Sequence, residues 1–221
     1  MSGPLKIGVL VSGNGSNLQS IIDHAEKGKL DATVACVISN NAEAFALERA
    51  RKHRIPAVYT DHRRFPTRES FDAGVAETFL GYGIRMVALA GFNRIISPVL
   101  LDAFPQAVMN IHPALLPAFP GSKAQRQALH YGVKITGCTV HFVDIGTDSG
   151  PIIIQAAVPV YETDTEESLS KRILTEEHKI YPRAIQLFAE GRLSLEGRKV
   201  IIKPPADPEG SFLENPSAKL V

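Results

Sequence analysis

An asparagine and a histidine lie two residues apart at the end of a strongly apolar run. In the stretch VMNIHPALLPAFPG, residues 108–121, Asn110 and His112 flank Ile111, and three prolines follow. If the run is a β-strand, alternation puts both polar side chains on one face and Ile111 on the other. A carboxamide donor beside a protonatable imidazole is suited to stabilising an oxyanion. The prolines predict that the chain turns away here instead of extending the sheet.

A carboxylate that could orient and charge this imidazole lies in VDIGTDSGP, residues 143–151. The stretch offers Asp144 and Asp148, and its two internal glycines predict a sharply turned loop in which a carboxylate faces inward. A calcium loop is an alternative that fails, because Ser149 and Gln155 occupy the positions of the required glycine and bidentate acid. The aspartates therefore favour an ion pair with the histidine.

A zinc site built from His112, His141 and an aspartate is a second alternative. No H-E-x-x-H segment and no paired Cys/His spacing supports it. His141, in the run TVHFV, alternates with apolar neighbours, which favours a structural or supporting role. We therefore predict no metal.

The glycine-containing segment VSGNGSN, Val11–Asn17, joins a predicted strand to a predicted helix. Glycines permit a tight turn with inward amides, and a helix N-terminus favours an anion. Ser16 or Asn17 can cap the helix or bind a phosphate oxygen. No nucleotide P-loop pattern is present, and Leu18 replaces the third glycine of a dinucleotide fingerprint. The segment suits a lone phosphate, with a plain capped turn as the alternative.

A third polar segment, ALAGFNRI, ends another predicted strand. Gly91 permits the close approach of another molecule. The guanidinium of Arg94 is suited to a carboxylate or phosphate because its donors form a planar fork, although a solvated arginine is the alternative.

These chemical groups all follow predicted strands of an α/β protein. Apolar runs alternate with amphipathic segments, which predicts a doubly wound, mostly parallel sheet buried on both faces. Ligands of such sheets bind at the carboxyl ends of the strands. The predicted parallel strands are Ile7–Val11, Thr33–Ile38, Ala57–Tyr59, Met86–Ala90 and Ala107–Ile111.

The pattern changes after the fifth strand. Two further strand candidates close together in sequence predict an antiparallel extension of the sheet, and a long helix follows with a capping residue and early acids in TDTEES. The later strands are Thr136–Val143 and Pro151–Val160. The predicted helices are Asn17–Gly28, Ala42–His53, Arg68–Leu80, Ser122–Tyr131 and Thr165–Ala189. We expect one domain over residues 1–203 and an extended tail over 204–221, which is rich in Pro and Glu.

Composition restricts the class of protein. The chain has 221 residues, of which 44% are hydrophobic and 21% charged, with a net charge of +1. No basic patch indicates nucleic acid, no apolar run is long enough for a membrane span, and no leader peptide is recognisable. Cys36 and Cys138 lie in apolar runs and are interpreted as reduced core thiols of a cytoplasmic protein. The residues alone thus indicate an α/β enzyme that transfers an acyl group between two small molecules, without a nucleophile elbow.

Six segments in order give the chain a specific resemblance. VLVSGNGSNLQSII, VISNNAEAFALERA, LAGFNRIIS, MNIHPALLPAFPG, GCTVHFVDIGTDSGPIIIQ and EEHKIYP resemble successive signatures of the phosphoribosylglycinamide formyltransferases, within the folate-dependent formyltransferase superfamily. The resemblance extends from about Lys6 to Lys203. It implies a formyltransferase-like, Rossmann-like fold and transfer of a formyl group from the cosubstrate 10-formyltetrahydrofolate to the amine of phosphoribosylglycinamide in de novo purine biosynthesis.

The resemblance also implies roles for particular residues, acting through a tetrahedral intermediate on small-molecule substrates in a monomer or homodimer. The catalytic residues would be Asn110, His112 and Asp148. The phosphoribosylglycinamide-binding residues would be Gly15, Ser16, Asn17 and Glu177. The folate-binding residues would be Arg68, Asn93, Arg94, Ile95, Ile96, Val143 and Asp144. A cis bond is implied between Leu116 and Pro117.

Departures from the family pattern concern the segment after the histidine. Ala114 replaces the usual serine, the following loop GSKAQRQAL, which contains Lys123, lacks the usual histidine, and Asn93 stands where Met or Tyr is commoner. Other folate-dependent formyltransferases, formyltetrahydrofolate hydrolases and a catalytically silent phospho-ligand module remain as alternatives. A transferase acting on methionyl-tRNA is disfavoured because the chain lacks a basic cluster after its last helix.

Overall fold

The computed structural model describes residues 3–204. Apart from Pro204, the predicted tail over 204–221 lies outside the described residues. Within them, seven strands form one mixed sheet in the order β3-β2-β1-β4-β5-β6-β7, and two more form a separate hairpin. The strands are β1 Leu5–Val11, β2 Ala32–Ser39, β3 Ala57–Tyr59, β4 Met86–Leu89, β5 Val108–His112, β6 Ile135–Phe142, β7 Ile152–Pro159, β8 Leu193–Glu196 and β9 Lys199–Ile202.

Strands β1 to β5 are parallel to one another, and β6 pairs antiparallel with both β5 and β7. The predicted fold class is therefore confirmed. The boundaries differ from the predicted ones by a few residues. The helices are α1 Ser16–Glu26, α2 Phe45–Lys52, α3 Arg68–Gly81, α4 Pro98–Ala103, α5 Ala124–Tyr131 and α6 Glu166–Ala189. The six-residue helix α4 and the β8–β9 hairpin were not predicted.

Both faces of the sheet are covered by helices. Along β1, Ile7 and Val9 belong to the apolar cluster that contains α1, α2 and α6, whereas Leu10 belongs to the cluster beneath α3 and α4. Alternate residues of a strand point to opposite faces, so each central strand needs apolar side chains on both. This is why the strands read as continuous apolar runs.

The direction of winding changes between β1 and β4. The loops that leave their carboxyl ends touch there: the Ser12 N–H donates to Gly91 O at 3.0 Å, and the Asn93 N–H donates to Ser12 Oγ at 2.9 Å. In open α/β sheets this point forms the ligand crevice. The loops containing two predicted binding segments therefore meet at one place.

Helix α6 begins at a reciprocal capping box between Thr165 and Ser168, as the sequence TDTEES indicated. Its Tyr181 is fully buried, and the hydroxyl oxygen lies 3.0 Å from both Leu89 O and Met109 O. The long helix is thus fixed to the ends of β4 and β5, directly before Asn110. Within residues 3–204, no helix has the length and apolarity needed to cross a membrane.

Candidate active site

The carboxylate of Asp148 brings the three predicted catalytic side chains together. Asn110 Nδ2 donates to Asp148 Oδ1 at 3.3 Å, and His112 Nδ1 lies 3.3 Å from Oδ2. The Gly121 N–H also donates to Oδ2, at 2.7 Å. The triad assembles between the end of β5 and the loop after β6, and its catalytic role remains a prediction.

Glycines shape the loop that carries Asp148. A Cβ at Gly150 would lie 1.8 Å from Phe142 O, and one at Gly146 would lie 2.1 Å from Ser149 Oγ. Asp148 itself has φ 51°, in the left-handed region that non-glycine residues seldom adopt. The sharply turned loop predicted from the glycines is present, and it directs this one carboxylate inward.

Asp144, the other candidate carboxylate, faces its own loop. Its Oδ1 accepts the Gly146 N–H at 3.0 Å and the Ser149 hydroxyl at 2.6 Å. Asp144 therefore shapes the loop, while Asp148 contacts the imidazole.

The electrostatics of His112 are dominated by burial. Burial lowers the pKa of His112 below its ordinary value and outweighs both the Phe119 carbonyl, 2.8 Å from Nε2, and the Asp148 carboxylate, which raise it. Asp148 thus favours the charged ring, as the sequence predicts, but burial has the larger effect on the pKa. Because the pKa lies below its ordinary value, the neutral imidazole predominates at neutral pH.

Asp148 stays ionised in the same surroundings. Burial by itself would raise its pKa, but the neighbouring His141 ring, the Gly121 N–H and the nearby His112 lower the pKa below the usual value. A permanent negative charge thus faces Nδ1 of His112.

His141 lies behind the triad, opposite Asn110 in the β5–β6 pair. Its Nδ1 is 2.8 Å from Phe142 O, which assigns the ring proton to Nδ1 and leaves Nε2 to accept from Asn110 Nδ2 at 3.2 Å. Both N–H groups of the Asn110 carboxamide are then directed, one to His141 and one to Asp148. Sequence reasoning gave His141 a supporting role; its contact with Asn110 depends on the antiparallel register.

The predicted phosphate loop lies at the start of α1. Gly15 is the N-cap residue, with φ 73° and no side-chain cap, which excludes the first of the two alternatives for Ser16 or Asn17, that of capping the helix. Both residues lie inside the first turn. The first amides of the helix therefore have no side-chain cap, and such amides favour an anion.

Asn17 and Glu177 meet although 160 residues separate them. Asn17 Nδ2 donates to Glu177 Oε2 at 2.7 Å, and Asn17 Oδ1 is buried without a hydrogen-bond partner. Burial raises the pKa of Glu177, and the Asn17 bond opposes that rise. All four residues assigned to the nucleotide substrate therefore occupy one end of the crevice.

Arg49 of α2 fixes the phosphate loop, and sequence reasoning missed it. Its Nε donates to Asn14 O and its Nη2 to Asn14 Oδ1, both at 2.9 Å, while the guanidinium carbon lies 4.7 Å above the Phe45 ring. The motif NNAEAFALERA contains the residue, but only the fold shows that α2 packs on this loop.

The predicted folate residues of α3 and the β4 loop gather around Asp72. This buried carboxylate accepts the Ser97 N–H at 2.6 Å; burial raises its pKa, and the charges of Arg68 and Arg94 oppose the rise. The Arg94 guanidinium lies 5.3 Å over the ring of Phe71, and its Nε is buried without a partner. The charges of Arg68 and Arg94 thus both act on the Asp72 carboxylate.

The remaining folate residues differ in exposure. Ile96 is buried and Val143 packs against the same apolar cluster, whereas Ile95 is 55% exposed. Asn93 contributes its backbone N–H to Ser12. The structure therefore brings Arg68, the 93–96 segment and the start of the 143–148 loop to the carboxyl edge beside the triad.

The segment that departs from the family pattern closes over the site. The bond between Leu116 and Pro117 is cis, as the resemblance implied. Ala114, which replaces the usual serine, is fully buried. Its backbone carbonyl accepts a hydrogen bond from the Thr139 hydroxyl at 2.7 Å, so this contact does not need a polar side chain at position 114. In residues 3–204, no group of three His, Cys, Asp or Glu side chains is arranged to hold a metal ion.

Comparison with known proteins decides the family. The model of the formyl transferase family matches residues 5–185. The chain belongs to the formyl transferase family. Within it, the phosphoribosylglycinamide formyltransferase of Escherichia coli is 45% identical over 191 residues, covering 86% of this chain and 90% of that protein. The glycinamide ribonucleotide transformylase 1 of Symbiobacterium toebii has a TM-score of 0.90 at 55% identity, covering 92% of this chain and 96% of the other.

Relatives with other architectures share the same core. The human trifunctional purine biosynthetic protein adenosine-3 is 44% identical over 190 residues, which are 86% of this chain but 19% of that protein. A formyltetrahydrofolate deformylase from Pseudomonas syringae has a TM-score of 0.84 at 27% identity, covering 91% of this chain and 67% of the other. The resemblance seen in the six sequence motifs is confirmed, and the chain is an enzyme of this formyl transferase family.

Proposed function

We propose that the chain transfers the formyl group of 10-formyltetrahydrofolate to the amine of phosphoribosylglycinamide, giving formylglycinamide ribonucleotide in de novo purine biosynthesis. The observation that carries the proposal is the shared crevice. The uncapped start of α1 and the Asn17–Glu177 pair lie at one end, and the triad centred on Asp148 lies at the end of β5. Tyr181 lies one helical turn after Glu177, and its hydroxyl is 3.0 Å from the carbonyl oxygen of Met109, the residue before Asn110. Helix α6 thus connects the two ends of the crevice.

The chain has groups that suit the folate cosubstrate. Arg68 and Arg94 offer guanidinium donors for a carboxylate, and the buried Nε of Arg94 has no partner among residues 3–204. Ile95 offers an exposed apolar surface beside them. When bound, 10-formyltetrahydrofolate supplies an activated formyl group.

In the proposed reaction the substrate amine forms a bond to the formyl carbon, and the carbon's bond to the folate nitrogen breaks. Negative charge gathers on the formyl oxygen, and the carboxamide of Asn110 donates to it. Arrival of this charge beside His112 favours the protonated ring, against the burial that keeps it neutral in the free site. Ionised Asp148 holds Nδ1 and stabilises the charged ring. The proton lost by the amine ends on the leaving folate nitrogen.

A formyltetrahydrofolate hydrolase is the second candidate, because the Pseudomonas syringae deformylase has the same core. Water would then take the place of the amine. The phosphate loop and the Asn17–Glu177 pair favour the nucleotide acceptor, since hydrolysis has no use for either.

The deciding experiment incubates purified protein with 10-formyltetrahydrofolate in three reactions. Two contain an acceptor, either phosphoribosylglycinamide or initiator methionyl-tRNA, and the third contains no acceptor. We expect formyl transfer with phosphoribosylglycinamide alone. Equal consumption of the folate without any acceptor would establish the hydrolase, and formylation of the tRNA would refute the proposed acceptor.

A further inference from the structure

The β8–β9 hairpin contacts the loop that carries Asp148. Gly197 and Arg198 form the turn between the two strands, and Gly197 has φ 60°. Arg198 Nη2 donates to the carbonyl oxygen of Ser149 at 2.7 Å. The formyl transferase model ends at residue 185, so the hairpin lies outside the part of the chain that it matches.

Ser149 is the residue through which the turn can act. It directly follows Asp148, whose φ of 51° is left-handed, and its hydroxyl donates to Asp144 Oδ1 at 2.6 Å. The carbonyl that accepts from Arg198 belongs to the Ser149–Gly150 peptide, one residue after the left-handed Asp148. Holding that peptide limits the movement of the strained backbone that carries the Asp148 side chain.

The hairpin is itself anchored and can therefore act as a support. Leu193, Leu195 and Val200 pack against the main apolar cluster. At its base, the Lys203 N–H donates to Arg192 O at 2.8 Å, and Arg192 Nε donates to Lys203 O at 2.7 Å. A guanidinium carried on such a turn holds a defined position relative to the sheet.

We propose that Arg198 is a positioning residue for the triad. By holding the Ser149 carbonyl, it keeps the Asp148 carboxylate against Asn110, His112 and the Gly121 N–H. The titratable groups that face Asp148 are His112 of β5 and His141 of β6, and neither touches Arg198. The kinetic part of this inference rests on the proposed function; the geometric part does not.

The test compares R198M with R198K in the full chain. Both keep the aliphatic stem, but only lysine retains a donor for the Ser149 carbonyl. We expect R198M to lower kcat about fivefold, the equivalent of one ordinary hydrogen bond, while KM for phosphoribosylglycinamide stays within about twofold. R198K should recover most of the lost rate. K199M, at the exposed neighbouring position of the same hairpin, is the matched control and should behave as the unchanged protein.

A second measurement does not depend on activity. The imidazole of His112 is titrated by NMR in the same variants. Asp148 raises the pKa of His112, so its displacement in R198M should lower that pKa further, and R198K should restore it. Thermal unfolding of each variant separates a moved carboxylate from a loosened fold.

The outcomes are distinct. If the unchanged protein lacks formyl transfer, the proposed function fails, and the His112 titration still decides the role of Arg198. Wild-type turnover together with an unaltered His112 titration in R198M would overturn the positioning role. Equal effects of R198M and K199M would overturn it too, since they would show that the hairpin responds only to lost charge.

Discussion

At the residue scale, the Asn110 carboxamide has two N–H groups and two protein acceptors, His141 Nε2 and Asp148 Oδ1. In the proposed reaction, a formyl oxygen would therefore replace one of these contacts. The exchange is favourable only as negative charge develops on that oxygen, because a charged acceptor binds an N–H more strongly than a neutral one. In the proposed reaction, Asn110 would therefore act on the transition state more than on the bound substrate.

The first prediction follows from that arrangement. Asn110→Ala should lower kcat by about 10²–10³-fold, the usual loss for one oxyanion donor, with little change in either KM. His112→Ala should likewise lower turnover more than affinity. Steady-state kinetics with both substrates check this. An Asp148→Asn enzyme with normal turnover would contradict the role assigned to the carboxylate.

The second prediction concerns acid stability and the buried imidazole. Because the pKa of His112 is lower in the folded protein than in the unfolded chain, the unfolded chain binds more protons below its own histidine pKa. The contribution of neutral His112 to the free energy of unfolding is therefore fully present above the pKa of the unfolded chain. It is lost as the pH falls towards the lower pKa of His112 in the folded protein. His112→Gln should thus lose less stability than the unchanged protein between about pH 7 and pH 5.

Urea unfolding at both pH values measures this difference. His130→Gln, in the last turn of α5, is the matched control. His130 is exposed and lies outside the candidate site, so this change should leave the acid loss as it is in the unchanged protein. Equal acid losses in His112→Gln and the unchanged protein would refute the argument.

At the scale of the element, helix α2 supports the phosphate loop without providing a predicted ligand. Arg49 holds the carbonyl and the side chain of Asn14, and the Ala46 N–H donates to Gly13 O at 3.2 Å. The loop's shape therefore depends on a helix that precedes β3, on the outer half of the sheet.

The third prediction is that Arg49→Ala raises KM for phosphoribosylglycinamide by about tenfold, because two charge-assisted hydrogen bonds to the loop are lost. KM for the folate should not change, since its predicted residues lie on α3 and after β4 and β6, away from Asn14. Arg51→Ala, exposed on the same helix, serves as the control. Equal rises in both KM values would show a general disturbance of the crevice instead.

At the scale of the whole molecule, Tyr181 links the two sides of the fold. Its hydroxyl belongs to a helix on one face and reaches carbonyl oxygens of two central strands, β4 and β5. The fourth prediction is that Tyr181→Phe lowers the free energy of unfolding by about 1–2 kcal/mol, since buried carbonyl oxygens lose a donor while the ring packing stays. Urea denaturation measures the change. Tyr131→Phe, at an exposed position, should be neutral.

Much of this architecture was predictable because the sheet is buried on both faces. Continuous apolar runs identified every strand of the main sheet, and alternation placed Asn110 and His112 beside the carboxyl edge. Helix α4 is too short to show a helical period, and the four-residue strands of the hairpin are only partly buried, so neither gives a clear pattern.

The parts of the site that escaped prediction depend on long-range contacts. Arg49, and the pairing of His141 with Asn110, need the packing of α2 and the β5–β6 register, which local spacing does not contain. The lowered pKa of His112 likewise follows from burial of the ring in the folded protein, which composition alone does not predict.

One contact beneath the phosphate loop bears on how this protein can change over time. A Cβ placed on Gly15 would lie 2.6 Å from the Cβ of Ala46. A larger side chain at either position would therefore clash with the other. A larger residue at 46 would displace Gly15, and with it the neighbouring backbone amides. Ala46 is outside any predicted ligand contact, yet its mutational tolerance is limited by its contact with Gly15. Libraries intended to alter the acceptor should hold this pair constant and vary the opposite wall of the crevice.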